Sequence, residues 1–148
     1  EVRGPAATLL PQALVPSRPL NLRWNLNVYG SQIDGLDGPN NRFAKQYPWT
    51  TTLGLDYRPT DAWQVGFSHF ISPEYTRLVY AGYAQVQSGL RWTNAFAQYK
   101  VDSKSSLRIG LNNLMPSANA TQVISDYADQ RSNRTGRTNL SVTYEKRL

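Results

Sequence analysis

The chain has 148 residues, no cysteine and one histidine, and its 16 Lys and Arg against 10 Asp and Glu give a formal net charge of +6. This composition excludes a disulfide framework, a thiolate metal site and a multi-histidine metal cluster. The basic residues are scattered, whereas nucleic-acid-binding proteins cluster them on one face, so nucleic acid is not an expected partner. No apolar run reaches the roughly 18 residues of a transmembrane helix. The chain opens at Glu1 without a signal-peptide pattern, so we expect a fragment or a processed product.

Apolar and polar residues alternate with a period of two along most of the chain, which is typical of strands with two different faces. In the first clear stretch, residues 20–28, Leu and Trp alternate with Asn and Arg. The sequence therefore predicts an all-β fold with six strands, near residues 20–28, 49–58, 63–71, 93–101, 107–113 and 139–148. A seventh, partial strand is expected within residues 1–10, followed by a proline-marked connection that reaches residue 18.

The connections alternate between short and long. Residues 58–62 and 101–105 are tight turns of Pro, Asp and Ser, whereas residues 33–48, 72–89 and 115–137 are long polar links. Outer-membrane β-barrels sort their connections in this way, with short periplasmic turns and long extracellular loops. The pattern favours an antiparallel meander of six to seven strands in the wall of such a barrel.

Aromatic residues of the apolar parity lie near strand ends. Tyr57, Trp63, Tyr99 and Tyr144 lie near the short turns, and Trp49 lies at the opposite end of its strand. Trp and Tyr favour the interface between membrane and water, so we predict that these five residues occupy it. From Trp49 to Tyr57 the chain would rise about 20 Å across a tilted wall, close to the apolar band of about 25 Å in such barrels.

Alternation alone does not decide which solvent covers the apolar face. A soluble β-barrel or sandwich that binds a small apolar ligand would enclose the same residues in its core. A small self-contained outer-membrane barrel would need about eight strands, with the missing ones hidden in residues 74–88 and 116–136. Both alternatives stay open at the level of sequence.

Several ordered segments resemble a known family. LNLRWNLNVYGSQIDG, GPNNR, YPWTTTLGLDYR, WQVGFSHF, TNAFAQYKVDSKSSLRIGLNNLM and GRTNLSVTYEKRL follow one another between residues 20 and 148. Their order resembles the C-terminal portion of TonB-dependent outer-membrane receptors, which show a Gly-Pro-x-Asn-Arg-like loop, a strand opened by Pro-Trp and a final strand reached through Gly-Arg. Two features depart from that family: Leu148 stands where an aromatic residue is usual, and Lys146 interrupts the outward parity of the last strand.

The resemblance implies that residues 1–148 form one β-barrel segment, the closing part of a wall of about 22 strands in the bacterial outer membrane, without the plug domain. The whole receptor would import a scarce ligand, ferric siderophores being the family's commonest class. Its implied partners are outer-membrane lipid and lipopolysaccharide, the remaining barrel and plug, and TonB through the missing N-terminal part. An isolated chain would also associate with itself through its open sheet edges.

Catalytic and metal-binding constellations are not apparent. His69, the only histidine, stands among Phe67, Phe70 and Ile71, and the loop acids lack EF-hand spacing, so we predict neither an enzyme nor a metal or cofactor site. Ligand contact is expected in the long links, where arginine pairs well with phosphates and carboxylates. The candidates are Arg42, Lys45, Arg77, Arg131, Arg134 and Arg137, with solvated loop charge as the alternative interpretation.

Overall fold

A computed structural model describes residues 2–5, 8, 18–38, 40–43 and 46–147. The fold is all-β and antiparallel, as the alternation predicted, and 64% of the described residues lie in strands. The strands are β1 (Val2–Pro5), β2 (Leu20–Val28), β3 (Trp49–Tyr57), β4 (Trp63–Ser72), β5 (Tyr75–Tyr80), β6 (Tyr83–Gln87), β7 (Leu90–Lys100), β8 (Ser105–Asn112), β9 (Ala118–Ser125), β10 (Asp129–Thr135) and β11 (Asn139–Lys146).

Seven strands form one sheet in the order β1-β2-β3-β4-β7-β8-β11. All six strands predicted from alternation belong to it, and β1 is the predicted seventh. Both predicted tight turns join neighbouring strands, β3 to β4 and β7 to β8. Within the described residues β1 and β11 are not paired with each other, so this first sheet is open and has two edges.

The long links at residues 72–89 and 115–137 are not loops, and this part of the prediction is wrong. They contain β5, β6, β9 and β10, which form a second sheet in the order β10-β9-β6-β5. That order repeats the order β11-β8-β7-β4 of the first sheet, so each link extends the hairpin from which it emerges. The strands sought in these links by the small-barrel alternative therefore exist, but they form a separate sheet and add no strand to the first sheet.

The second sheet follows the first through a close approach of β4 and β7. Ser72 opposes Leu90 at the end of the first sheet, and Tyr75 opposes Gln87 at the start of the second, three residues further on in each strand. The register is thus kept. Gly89 lies at the closest point, because a Cβ added there would be 2.6 Å from the carbonyl oxygen of Ser72.

Replacing Gly89 with Ala is expected to destabilise this junction by about 1–3 kcal/mol, since the added methyl meets backbone that cannot swing aside. The matched control is Gly30→Ala, because a Cβ at Gly30 would have no heavy atom within 4 Å. Amide hydrogen exchange in β5 and β6 measures the effect. Equal protection in the two variants would show that the close approach at Gly89 has no energetic consequence.

The link between β2 and β3 folds back against β5. The amide of Leu78 donates to the carbonyl of Asn40 at 2.7 Å, and the Asn41 side chain closes the loop on the carbonyl of Leu36 at 2.8 Å. Tyr47 packs edge to face on Tyr75, with 5.0 Å between ring centroids. These contacts fix the link beside the second sheet.

Burial is sparse throughout the described residues. Tyr75 is their only buried hydrophobic side chain, whereas Trp24 and Leu53 are each 48% exposed and Val142 is 64% exposed. A soluble β-domain of this size must bury one face of each sheet against another layer. The described part of the chain has no such layer, so the apolar face of the first sheet is open.

Candidate functional site

The strand register gathers most apolar residues of the first sheet onto one face, whereas Phe70, Trp92 and Phe96 lie on the other. A slip of one residue in any strand would move that strand's apolar set to the other face, and no such slip occurs between β2 and β11. One cross-strand row consists of Leu22, Leu55, Phe67, Ala95, Leu111 and Leu140. The next row towards the short turns consists of Leu20, Tyr57, Val65, Ala97, Ile109 and Val142. We call this surface the apolar face.

Polar atoms on the apolar face bond to one another. His69 Nδ1 lies 2.8 Å from Thr93 Oγ1 on the neighbouring strand, and Trp24 Nε1 donates to Thr51 Oγ1 at 2.9 Å. Thr51 in turn donates to the carbonyl of Asn25 at 3.0 Å. Such pairing is essential on a surface that meets hydrocarbon, where an unsatisfied polar group costs several kcal/mol, and dispensable on one that meets water.

Four of the five predicted interface aromatics come together beside the short turns. Trp63 and Tyr99 are cross-strand partners with ring centroids 4.9 Å apart. Tyr57 lies one row further in, and Tyr144 lies in the row of Trp63 and Tyr99, separated from Tyr99 by one strand. Trp49 is at the far end of β3, opposite Val28. The positions match the prediction, while a membrane role for these rings stays a prediction.

The opposite surface of the first sheet, which we call the polar face, carries charged side chains. Arg23 pairs with Asp56 at 3.2 Å, and Arg108 stacks on Phe96 with 3.8 Å from Cζ to the ring centroid. Phe96 lies directly over Gly66, where a Cβ would come within 2.1 Å of the ring. Glycine is therefore required for the ring to lie flat. Between these side chains lies a concavity of about 300 Å³.

The second sheet mixes polar side chains with Tyr75, Tyr83 and Val123 along the parity of the apolar face. The odd-numbered residues of β6 and β9 have the same parity as the apolar residues of β7 and β8. Among them, Gln87 donates to Asn119 Oδ1 at 2.6 Å and accepts from Thr121 Oγ1 at 2.9 Å. Arg77 donates to Gln85 Oε1 from Nε at 3.0 Å and from Nη2 at 2.8 Å. Hydrogen-bonded amide and guanidinium groups thus enter this parity just beyond the close approach at Gly89. Sequence reasoning missed this network because it treated residues 72–89 as a loop.

The predicted ligand-binding arginines are dispersed. Arg77 lies on β5, one edge of the second sheet, and Arg131 and Arg134 lie on β10, the other edge, on opposite faces of that strand. Arg42 lies in the link between β2 and β3, where its Nε is buried without a hydrogen-bond partner. Lys45 lies outside the described residues. Arg137 follows β10, and its carbonyl accepts from Asn113 at 3.1 Å.

The turn between β7 and β8 is closed by one carboxylate. Asp102 Oδ1 accepts from the amides of Lys104 and Ser105, each at 2.7 Å, and Oδ2 accepts from the Ser105 hydroxyl. Hydrogen bonds from Ser105 and from the Lys104 amide lower the pKa of Asp102 below its ordinary value of 3.8.

Because the folded-state pKa of Asp102 is depressed, its contribution to turn stability is present above pH 3.8 and is lost as pH falls through the lower folded value. We expect the amides of Lys104 and Ser105 to lose hydrogen-exchange protection only in that acidic range, and Asp102→Asn to weaken it at neutral pH. A carboxyl-carbon NMR titration measures the midpoint. A midpoint at or above 3.8 would contradict this account of the turn.

Comparisons with known proteins give no relative. A scan against protein-family models, a search of curated proteins and a search of solved structures each found no match to this chain. None of the described residues belongs to a helix long and apolar enough to cross a membrane. Within the same part of the chain, His, Asp and Glu do not gather in groups of three or more that could hold a metal ion.

Proposed function

We propose that this chain is a wall segment of a bacterial outer-membrane β-barrel, and that the barrel is a TonB-dependent receptor that imports a scarce ligand, with a ferric siderophore as the first candidate. The observation that carries the location is the open apolar face, six strands wide, on a chain whose described residues bury one hydrophobic side chain. Each Leu, Val, Ile or Phe that leaves water contributes about 1.5–3 kcal/mol. Contact with lipid would supply the stabilisation that a core supplies elsewhere.

Strand length supports the same location. A strand that crosses a bilayer needs about 9–11 residues. β2 and β3 have 9 residues, β4 has 10 and β7 has 11, while β8 and β11 have 8 each. Aromatic residues lie at the short-turn end of the apolar face, and the hydrogen-bonded amides of the second sheet lie beyond its other end. In an outer-membrane barrel, the aromatic end would lie at the periplasmic interface, the apolar face in the hydrocarbon, and the second sheet outside the membrane.

The polar face supports a barrel that encloses water or protein. Ion-paired and stacked side chains such as Arg23, Asp56 and Arg108 suit a lumen, where water can reach whatever the protein leaves unsatisfied. The sheet is open at β1 and β11 within the described residues, so closing it requires further strands. The remainder of a receptor barrel would provide them, with the plug against the polar face.

The proposal of a receptor rests on the sequence resemblance. The dispersed positions of the arginines change which of them we propose for ligand contact. The second sheet places Arg77 beside Gln85 in a hydrogen-bonded pair and leaves Arg131 and Arg134 on an exposed strand. We propose that Arg131 and Arg134 contact an anionic ligand or lipopolysaccharide phosphates, and that Arg77 acts within the sheet. TonB would supply the energy through a part of the receptor that these residues do not contain.

Cell fractionation tests the location. Cells that produce the protein should carry it in the outer-membrane fraction, released by detergent and not by high salt or carbonate. Recovery as a monodisperse monomer without detergent would instead favour the soluble β-domain.

Uptake tests the receptor. Cells with the intact gene should accumulate radiolabelled iron from a panel of ferric chelates, and a protonophore or loss of TonB should abolish accumulation without changing binding at the surface. Uptake that survives both treatments would exclude a TonB-dependent mechanism while leaving the outer-membrane location intact.

A further inference from the structure

The backbone hydrogen bonds of β11 show which face each of its residues occupies. Its odd-numbered residues bond to β8, because the amide of Arg147 donates to the carbonyl of Lys104 at 2.9 Å in continuation of the ladder. The odd-numbered Ser141 lies on the polar face, and the even-numbered Leu140 lies on the apolar face. Along a strand, the direction of the backbone bonds and the face of the side chain alternate together. Residues of β11 that bond towards β8 therefore belong to the polar face.

β10 runs into β11, but its hydrogen-bonding pattern is shifted by one residue. The carbonyl of Ala128 accepts from the Ser125 amide at 2.9 Å, and the amide of Gly136 donates to the Ser117 carbonyl at 3.4 Å. Even-numbered residues of β10 thus bond to β9, the strand that continues β8. By the same rule, Arg134 lies on the side of the polar face.

The cross-strand partner of Arg134 is Asn119, which offers a free donor. Asn119 Oδ1 accepts from Gln87 Nε2 at 2.6 Å and from the Ser88 hydroxyl at 3.2 Å. Both lone pairs of this oxygen are therefore used, and Nδ2 is what Asn119 has left to offer. Within the described residues, neither this Nδ2 nor the Arg134 guanidinium has a hydrogen-bond partner. Directly opposite residues have Cβ atoms about 4.5–5.5 Å apart, so the two donor groups lie close together.

Acidic side chains do not offset Arg134 on its side of the second sheet. Asp129 is the only Asp or Glu in β5, β6, β9 and β10, and it lies on the other side of β10 together with Arg131. There Asp129 accepts from Gln122 Nε2 at 2.8 and 2.9 Å, and Arg131 donates to Asn133 at 3.3 Å. Arg131 thus shares its surface with an acid, whereas Arg134 is an uncompensated cation beside an amide donor.

We infer that Arg134 and Asn119 bind a carboxylate group of the imported ligand. The two oxygens of a carboxylate accept from the guanidinium fork, and one of them can also accept the amide N–H. A phosphate monoester carries about −1.5 to −2 charge at neutral pH and is matched better by two cations. Arg77, which shares a cross-strand row with Gln130 on this side, is about 20 Å from Arg134 by strand spacing and rise.

The origin of the carboxylate in an imported ligand rests on the proposed function, whereas the binding chemistry depends only on the described residues. Arg134 is exposed, so one carboxylate is bound weakly and in a salt-dependent way. The measurement must therefore detect weak binding at a single position.

An NMR titration of the full chain, folded in a nonionic detergent, tests the inference with acetate as the probe. At constant ionic strength, set with chloride, we expect a saturable shift of the Asn119 side-chain amide. Arg134→Gln should weaken binding about ten-fold, because it removes the charge-assisted hydrogen bonds. Arg131→Gln is the matched control on the other side of the same strand, and should leave the affinity unchanged.

The inference is overturned if Asn119 shows no saturable shift, if the two variants lose affinity equally, or if inorganic phosphate binds more tightly than acetate. A larger shift of Asn119 with lipopolysaccharide than with acetate would also overturn it, because the site would then serve the outer surface. Circular dichroism of each variant separates loss of the site from loss of the fold. The proposed function fails on different evidence, since fractionation into the outer membrane does not depend on acetate binding.

Discussion

Replacing Leu140 with Arg is expected to destabilise the chain by about 2–4 kcal/mol when it is folded in a phospholipid bilayer, because the guanidinium would enter hydrocarbon. Leu140 is 67% exposed and stands in the middle row of the apolar face, opposite Leu111. Exposure of that size normally makes a substitution nearly neutral, within about 0.5 kcal/mol, if water covers the site. Lipid around residue 140 and water around residue 140 therefore predict losses of stability that differ several-fold.

Ser141→Arg is the matched control, since Ser141 is the next residue on β11 and points to the polar face, where its hydroxyl donates to the carbonyl of Gly110 at 3.3 Å. We expect it to cost less than about 1 kcal/mol, because lumen positions tolerate charge. Urea unfolding from vesicles gives both values. Equal effects at positions 140 and 141 would mean that one solvent covers both faces.

Replacing Tyr75 with Ala is expected to cost about 3 kcal/mol, the second largest effect, because Tyr75 is 7% exposed and packs on Tyr47. The loss should be local: the link between β2 and β3 should detach from β5 while the first sheet stays folded. Burial, and then the neighbouring Tyr75, raise the pKa of the Tyr47 phenol from 10.0, so this ring stays neutral at physiological pH.

Tyr127→Ala provides the comparison, because Tyr127 is 99% exposed in the turn between β9 and β10. It should leave stability unchanged. Limited proteolysis within residues 29–48 reports the detachment, since an undocked link exposes its backbone to a protease. Protection of that segment in Tyr75→Ala as strong as in Tyr127→Ala would exclude Tyr75 as the anchor of the link.

The first sheet was predictable because successive side chains of a strand point to opposite faces, and the two faces of this sheet differ in polarity. In β3, Leu53 and Leu55 lie on one face and Thr52 and Asp56 on the other, so the alternation in the sequence marks the strand directly. The same alternation also predicts the register, because a one-residue slip would mix the two solvents. Prediction succeeded where each face of a strand has a uniform environment.

The second sheet was not predictable by this means. β10 reads DQRSNRT and is exposed along its whole length, so its pairing with β9 depends on backbone hydrogen bonds that leave little trace in side-chain type. Gly89 and Ser72 keep the register of β4 and β7 into β5 and β6, and neither residue is distinctive in the sequence. An extension of this kind becomes visible only when the partner strands are known.

The candidate site was predictable in part. The aromatic positions near the short turns follow from parity and strand ends, and the structure gathers Trp63 and Tyr99 there. The basic residues of the long links were chosen for being in loops, and three of the six, Arg77, Arg131 and Arg134, lie on strands of the second sheet.

The most direct measurement of the central claim is a single-cysteine spin-label scan along β3 in lipid bilayers, which is possible because the chain contains no cysteine. Labels at Leu53 and Leu55 should collide frequently with oxygen and rarely with a water-soluble nickel complex, and labels at Thr52 and Asp56 should show the reverse. A scan without alternation, or one in which the nickel complex reaches Leu53 and Leu55 as readily as Thr52 and Asp56, would contradict the claim that lipid covers the apolar face.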